Sequence, residues 1–97
     1  IKPEMTVENA YNFVRGLSPY PGAWMQIQLP GMTDEIMLKV FETEKQITQT
    51  TEIPGKIIVE NGKILKIALV NGYLILKQIQ APGKKRMSAE DWLRGMR

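Results

Sequence analysis

The chain has 97 residues, 43% of them hydrophobic and 24% charged, a composition typical of one globular domain with one core. Its formal net charge is only +3, which by itself indicates no particular partner. No apolar run reaches the roughly 18–20 residues that a membrane-spanning helix needs, and the lack of cysteine excludes disulfides and thiolate chemistry. This cysteine usage fits a cytoplasmic protein. Because the sequence starts at Ile1, we expect it to be part of a longer protein.

The first predicted element is an amphipathic helix that follows Thr6, a residue suited to cap its N-terminus. Gly16 suits its C-terminal end. The stripe that would face the core recurs at helical spacing and consists of Val7, Ala10, Tyr11 and Val14.

The segment RGLSPYPGAW, residues 15–24, comes next. Its prolines bias the preceding residues toward extended backbone, and its small residues leave room for close backbone approach. We therefore predict a rigid corner between helix and strand, with Tyr20 and Trp24 packed in the core or at its rim. A partner-recognition motif and a catalytic loop are the alternatives, although the PxxP spacing of proline-rich ligands is absent. The corner residues are Pro19, Pro21, Gly22, Ala23 and Trp24.

Two alternating stretches predict the first two strands, separated by a turn at residues 30–35. The residues predicted to point inward are Met25, Ile27 and Leu29 in the first strand and Ile36, Leu38 and Val40 in the second. Residues 43–55 are polar and β-branched, and we expect a loop or an irregular edge there.

Residues 56–80 carry the strongest local pattern, three β-rich runs separated by Asn61-Gly62 and Asn71-Gly72. Asn-Gly is the preferred pair for two-residue hairpin turns, since both positions tolerate positive φ. The pattern predicts a three-stranded meander.

A short helix closes the chain. Ser88 is placed to cap it, Met87 and Trp92 can form a hydrophobic staple across the cap, and Gly95 can end it. Five strands with a helix at each end indicate a mainly β fold, a single domain over residues 1–97 built as a small, partly closed OB-like barrel. The pattern does not define the strand order.

Catalysis by this chain alone is not expected. It has no histidine, so neither a Ser-His pair nor an ordinary zinc site can be assembled. The neighbouring acids Asp34-Glu35 and Glu90-Asp91 lie beside a turn and a helix start, where acids are expected for local reasons. We assign no catalytic and no metal-binding residue.

RGLSPYPGAW, followed some sixty residues later by LKQIQAPGKKRMSAEDWLRG, resembles the C-terminal domain of methionyl-tRNA formyltransferase. The resemblance covers residues 6–97. It implies an OB-like barrel that helps to hold initiator tRNA, attached to an N-terminal Rossmann-type domain. That domain, absent from this sequence, would carry the catalytic residues and transfer a formyl group from 10-formyltetrahydrofolate to the methionyl amine. The implied partners are therefore tRNA and the missing domain.

Charge is distributed unevenly along the chain. Residues 1–52 carry four basic and seven acidic side chains, whereas residues 53–97 carry nine basic and three acidic ones. Such asymmetry suggests a basic face toward a polyanion, although solvated lysine-rich surfaces are common. Three of the cations lie just before Ser88, where free helix N–H groups could also hold a phosphate. The candidate RNA-binding residues are Arg15, Lys56, Lys63, Lys77, Lys84, Lys85 and Arg86.

Tyr20, Trp24, Tyr73 and Trp92 are candidates for stacking on bases, but a barrel this small also needs such rings for its core. Base recognition is therefore not expected. Strand periodicity also predicts Lys63 and Lys66 on opposite faces of their strand.

Three hypotheses remain open. The chain is an RNA-binding domain of a tRNA formyltransferase, a structural or dimerisation domain of a relative that formylates a sugar nucleotide or other small amine, or an unrelated protein-interaction barrel. The basic GKKRM segment favours the first.

Overall fold

A computed structural model describes residues 4–17 and 22–95. In these residues, six strands lie between two helices in chain order. The bounds are α1 (Val7–Leu17), β1 (Ala23–Ile27), β2 (Ile36–Ile47), β3 (Ile57–Glu60), β4 (Ile64–Leu69), β5 (Gly72–Gln80), β6 (Met87–Ser88) and α2 (Ala89–Arg94). The mainly β class with a helix at each end is confirmed. The predicted count of five strands is wrong, because the two-residue β6 also pairs.

All strand pairs are antiparallel, in the order β1-β2-β5-β4-β3 with β6 beside β5. The predicted meander is confirmed as β3-β4-β5. The outer strands β1 and β3 contribute residues 26–27 and 57 to the lining of one cavity of about 650 Å³. No strand pairing among the described residues joins β1 to β3, so the sheet is open and the predicted barrel is not confirmed.

One apolar cluster joins α1, the inner face of the sheet and α2. Met25 and Ile27 of β1 lie opposite Leu38 and Ile36 of β2, so the predicted alternation places all four on one face. The α1 stripe packs on this face through fully buried Val7, Ala10 and Val14, with Tyr11 half-buried beside them. Buried Trp92 and Leu93 bring α2 into the same cluster. None of the described helices is long and apolar enough to cross a membrane.

Both predicted helix caps are confirmed. The Thr6 hydroxyl accepts a hydrogen bond from the Asn9 amide at 3.1 Å, and the Ser88 hydroxyl accepts one from the Asp91 amide at 3.1 Å. The amide of Gly95 closes α2 by donating to the Asp91 carbonyl at 3.0 Å. The helix α1 continues one residue beyond the predicted end at Gly16, within the usual variation of helix termini.

The prediction of a loop over residues 43–55 is wrong in its first part. Residues 43–47 extend β2 and pair with β5, from Thr43 opposite Leu76 to Ile47 opposite Gly72. A β-bulge near Glu42 shifts the register where this extension starts. Residues 44–47 are all exposed, so they lack the alternation of buried and exposed positions by which a strand is recognised in sequence.

The two predicted hairpin turns, Asn61-Gly62 and Asn71-Gly72, both differ from the observed connections. Glu60 pairs with Ile64, so the first connection has three residues, 61–63. Asn61 and Gly62 adopt the expected positive φ values of 54° and 66° within it. In the second hairpin Leu69 pairs with Gly72, and the connection is residues 70–71. Gly72 therefore belongs to the strand.

Gly72 is required by the close approach of β2. It adopts a φ of +153°, and a Cβ atom added there would lie 2.1 Å from the Gln46 carbonyl oxygen. Any residue with a side chain at this position would push β5 and β2 apart.

Asn71 connects the second hairpin to α1. Its side-chain oxygen accepts a hydrogen bond from the Val7 amide at 2.8 Å, and its side-chain nitrogen donates to the Glu8 carboxylate at 2.8 Å. The Val7 amide is one of the N–H groups that a helix leaves without an internal partner. Asn71 thus caps a helix that lies 64 residues earlier in the chain.

Gly72→Ala should lower the free energy of unfolding by on the order of 2–4 kcal/mol, because the methyl group would strain the backbone and push against the Gln46 carbonyl. Gly16→Ala is the control, since a Cβ there meets nothing within 4 Å and alanine favours a helix. Denaturant unfolding of both variants measures the difference. Equal stabilities would contradict the close approach of β2 and β5.

The Asn71 hydrogen bond lowers the pKa of Glu8, with smaller contributions from a backbone hydrogen bond and from Lys45. A carboxyl group with a lowered folded-state pKa stabilises the fold above its unfolded pKa and loses that contribution as pH falls through the folded value. Between about pH 5 and pH 3, Glu8→Gln should therefore lose less thermal stability than the unsubstituted protein. Glu35→Gln, at an exposed carboxylate with no described hydrogen bond or ion pair, should retain the full acid-induced loss.

Candidate nucleic-acid interface

The structure describes only part of the predicted corner, because Pro19, Pro21 and Tyr20 lie outside the described residues. Gly22 and Ala23 are buried, whereas Trp24 is 52% exposed and so lies at the rim. Gly22 adopts a φ of +86°, and its missing Cβ would meet the side-chain carbons of Lys39 at 3.0 Å. The close approach that was predicted between backbones is thus made by the alkyl part of a lysine side chain.

A row of side chains across three strands connects this corner to the predicted basic loop. Trp24 of β1 lies opposite Lys39 of β2, and Lys39 lies opposite Gln80 of β5, so the three share one face. The Lys39 ammonium lies 5.1 Å from the centre of the Trp24 ring. The Gln80 side-chain nitrogen donates to the Lys84 carbonyl oxygen at 3.0 Å and so holds the loop at the end of the row.

Phe41 extends this surface toward α1. The Arg86 guanidinium carbon lies 4.6 Å from the centre of the Phe41 ring, and the Lys39 ammonium lies 5.9 Å from it. Phe41 also lines a groove of about 330 Å³ together with Arg15 and Thr43. The Thr43 hydroxyl is buried and has no hydrogen-bond partner in the described part of the chain. We call Trp24, Lys39, Phe41 and Arg86 the aromatic–cationic surface.

The predicted RNA-binding cations fall into two groups, according to whether they are already paired. Lys56 forms an ion pair with Glu52 at 2.8 Å, and this hydrogen bond raises the pKa of Lys56. Lys77 pairs more loosely with Glu44, at 3.7 Å. The unpaired group forms no ion pair with any described carboxylate and consists of Arg15, Lys63, Lys84, Lys85 and Arg86.

Lys63 and Lys77 lie apart from the aromatic–cationic surface. They line a cavity of about 150 Å³ with Ser88 and Glu90, near the start of α2. The Ser88 hydroxyl and the acidic residues of the first turn of α2 already occupy the position predicted for a phosphate. Lys63 lies in the turn between β3 and β4. The prediction that Lys63 and Lys66 lie on opposite faces of one strand is therefore wrong.

Lys66 cannot contact a ligand freely. It is buried, donates a hydrogen bond to the Glu60 carboxylate at 2.7 Å, and places its ammonium 4.3 Å from the centre of the Tyr73 ring. The Tyr73 hydroxyl forms a hydrogen bond of 2.8 Å with that of Thr50. Tyr73 and buried Trp92 are therefore used by the fold, as predicted. Trp24, predicted in the core or at its rim, lies at the rim.

Lys39 and Phe41 are the residues of this surface that were missed from the sequence. A usable signal was present, since both alternate with the inward-facing Leu38 and Val40 of the same strand. Trp24 alternates in the same way with Met25. In residues 4–17 and 22–95, no group of three or more acidic side chains could hold a metal ion.

The family model described as "Formyl transferase, C-terminal domain" matches residues 1–97. Curated relatives named methionyl-tRNA formyltransferase include one from Bacteroides thetaiotaomicron that is 38% identical over 92 residues, 94% of this chain and 28% of the relative. One from Azobacteroides pseudotrichonymphae is 40% identical over 93% of this chain and 28% of its own length. One from Flavobacterium johnsoniae is 38% identical over 88% and 26%, respectively. The chain thus spans little more than a quarter of these proteins.

Gly22→Ala should destabilise the fold more than Gly31→Ala, by roughly 1 kcal/mol. Both glycines adopt a positive φ, of +86° and +83°, so both substitutions carry a similar backbone cost. Only at Gly22 would the methyl group also displace a side chain, that of Lys39. Denaturant unfolding of the two variants isolates this difference. Equal losses would show that Lys39 does not pack against the corner.

Proposed function

The chain belongs to the formyl transferase C-terminal domain family, and from this membership we propose that it holds initiator tRNA for a methionyl-tRNA formyltransferase. The formyl transfer itself is assigned to a separate N-terminal domain, which is not part of this sequence. The names of the relatives support this proposal, and so does the order of the two motifs that carry the resemblance.

The observation that carries the proposal is the distribution of unpaired cations. Lys39 and Arg86 lie over the Phe41 ring, and Arg15 lines a groove together with Phe41. Lys84 and Lys85 continue from Arg86 along an exposed loop. None of the five forms an ion pair with a described carboxylate. Cations without internal partners are free to neutralise phosphates, and release of the condensed counterions drives such binding.

Contacts of this kind position a nucleic acid without reading its sequence. In the proposed function the domain therefore contributes affinity and orientation. The choice between initiator and elongator tRNA is left to the other domain. Lys63, which forms no ion pair with a described carboxylate, offers a second place for phosphate contact near the start of α2, whereas Lys77 is loosely paired with Glu44.

We assign no residue of this chain to 10-formyltetrahydrofolate, the formyl donor that the family resemblance implies. No group of acidic residues for metal binding and no histidine or cysteine is available in the described chain to take part in the transfer. The proposed setting is translation initiation in the cytoplasm.

Replacing Lys84, Lys85 and Arg86 together by alanine should weaken tRNA binding. The decrease of log affinity with log salt should become less steep by about two units. Each lost phosphate contact removes about 0.7–0.9 from that slope. Initiator and elongator tRNA should be affected alike, and thermal stability should barely change, because exposed cations contribute little to folding. Titration of labelled tRNA at several salt concentrations provides the measurement.

Lys56→Ala is the matched control, because its ammonium is already paired with Glu52, and it should change the slope less than any one of the three loop substitutions. An unchanged slope in the triple variant would contradict the proposal. It would favour the relatives that formylate small amines, in which no extended cationic surface is needed.

A further inference from the structure

We propose that Trp24 stacks on an unpaired RNA base while Lys39 and Arg86 bind the adjoining phosphates. The aromatic–cationic surface would then be a binding site for single-stranded nucleotides. This inference rests on the proposed function, and it adds which part of an RNA the domain touches and how.

The exposure of Trp24 is the first argument. The chain has two tryptophans, and the fold buries Trp92 to 6% exposure while leaving Trp24 52% exposed on the outer face of β1. Base–aromatic stacking needs an accessible ring and tolerates any base, because every base has a π face. Trp24 is accessible in this way, and its backbone is held in a paired strand.

The placement of Lys39 is the second argument. Its alkyl carbons pack against Gly22, and its ammonium lies 5.1 Å from the centre of the Trp24 ring and 5.9 Å from that of Phe41. A glycine with positive φ at position 22 makes room for this packing. The ammonium is therefore held over one face of the Trp24 ring before any ligand arrives, which reduces the entropy lost on binding, and the base would stack on the opposite face.

The third argument is the arrangement of rings and charges. Phe41, the second aromatic residue, carries Arg86 above it at 4.6 Å, and Arg86 joins the unpaired loop that contains Lys84 and Lys85. Aromatic rings alternating with unpaired cations match the alternation of bases and phosphates along a single strand. In a duplex the base faces are stacked on one another, so a double helix could use the cations but not Trp24.

Tryptophan emission tests the inference directly. The probes are a 12-nucleotide oligo(A) RNA and a 12-base-pair RNA duplex. The single strand should quench the emission of Trp24, while the duplex should bind through phosphates with little quenching. Buried Trp92 serves as an internal reference for the folded state.

Trp24→Ala should weaken oligo(A) binding by about 5- to 150-fold, the range for loss of one base stack. It should leave the salt dependence of binding unchanged, because no phosphate contact is lost. Trp24→Phe should restore most of the affinity, since a stacking ring is retained. Arg86→Ala should instead make the decrease of log affinity with log salt less steep by about 0.7.

The outcomes separate this inference from the proposed function. If Trp24→Ala binds oligo(A) as tightly as the unsubstituted protein, the stacking site is wrong even if the basic loop still determines the salt slope of tRNA binding. Equal quenching by duplex and single strand would also overturn it. If the triple loop variant keeps its slope while Trp24→Ala loses affinity, base stacking on Trp24 stands, and the phosphate contacts of the loop, including the one assigned to Arg86, are wrong.

Discussion

The pairing of β2 with β5 is the interaction on which the remaining structure depends. Through β2 it joins β1 and α1 to the meander, and it places Lys39 opposite Gln80 so that the corner and the basic loop meet. The pairing in turn requires Gly72, because any side chain there would collide with the Gln46 carbonyl. One position without a side chain thus decides whether the two halves of the chain form one sheet.

Local features of the fold could be predicted from the sequence, because they depend on residues close together in the chain. Thr6 and Ser88 cap the helices that follow them, and the alternation in β1 and the first half of β2 defines the buried face. The family was also recognised from two separated motifs. These features need no knowledge of what lies across the sheet.

The remainder depended on distant partners. Residues 44–47 are exposed on both faces and form a strand only because β5 lies beside them. Asn71 resembles a turn residue in the sequence, yet its side chain caps α1. At the candidate site the sequence identified Trp24 and the basic loop separately, but Lys39, which joins them, was overlooked because its role depends on strand register.

Asn71 and β5 also determine when the fold can form. The Val7 amide has its hydrogen-bond acceptor in Asn71, and the second half of β2 pairs with β5. Elements near the N-terminus are therefore completed by residues that follow much later in the chain. Because a chain is synthesised from its N-terminus, α1, β1 and β2 leave the ribosome before their partners exist. The meander is made of neighbouring segments, and such local pairings close faster than distant ones. Folding is therefore expected to start with the meander, and α1, β1 and β2 are expected to pack onto it afterwards.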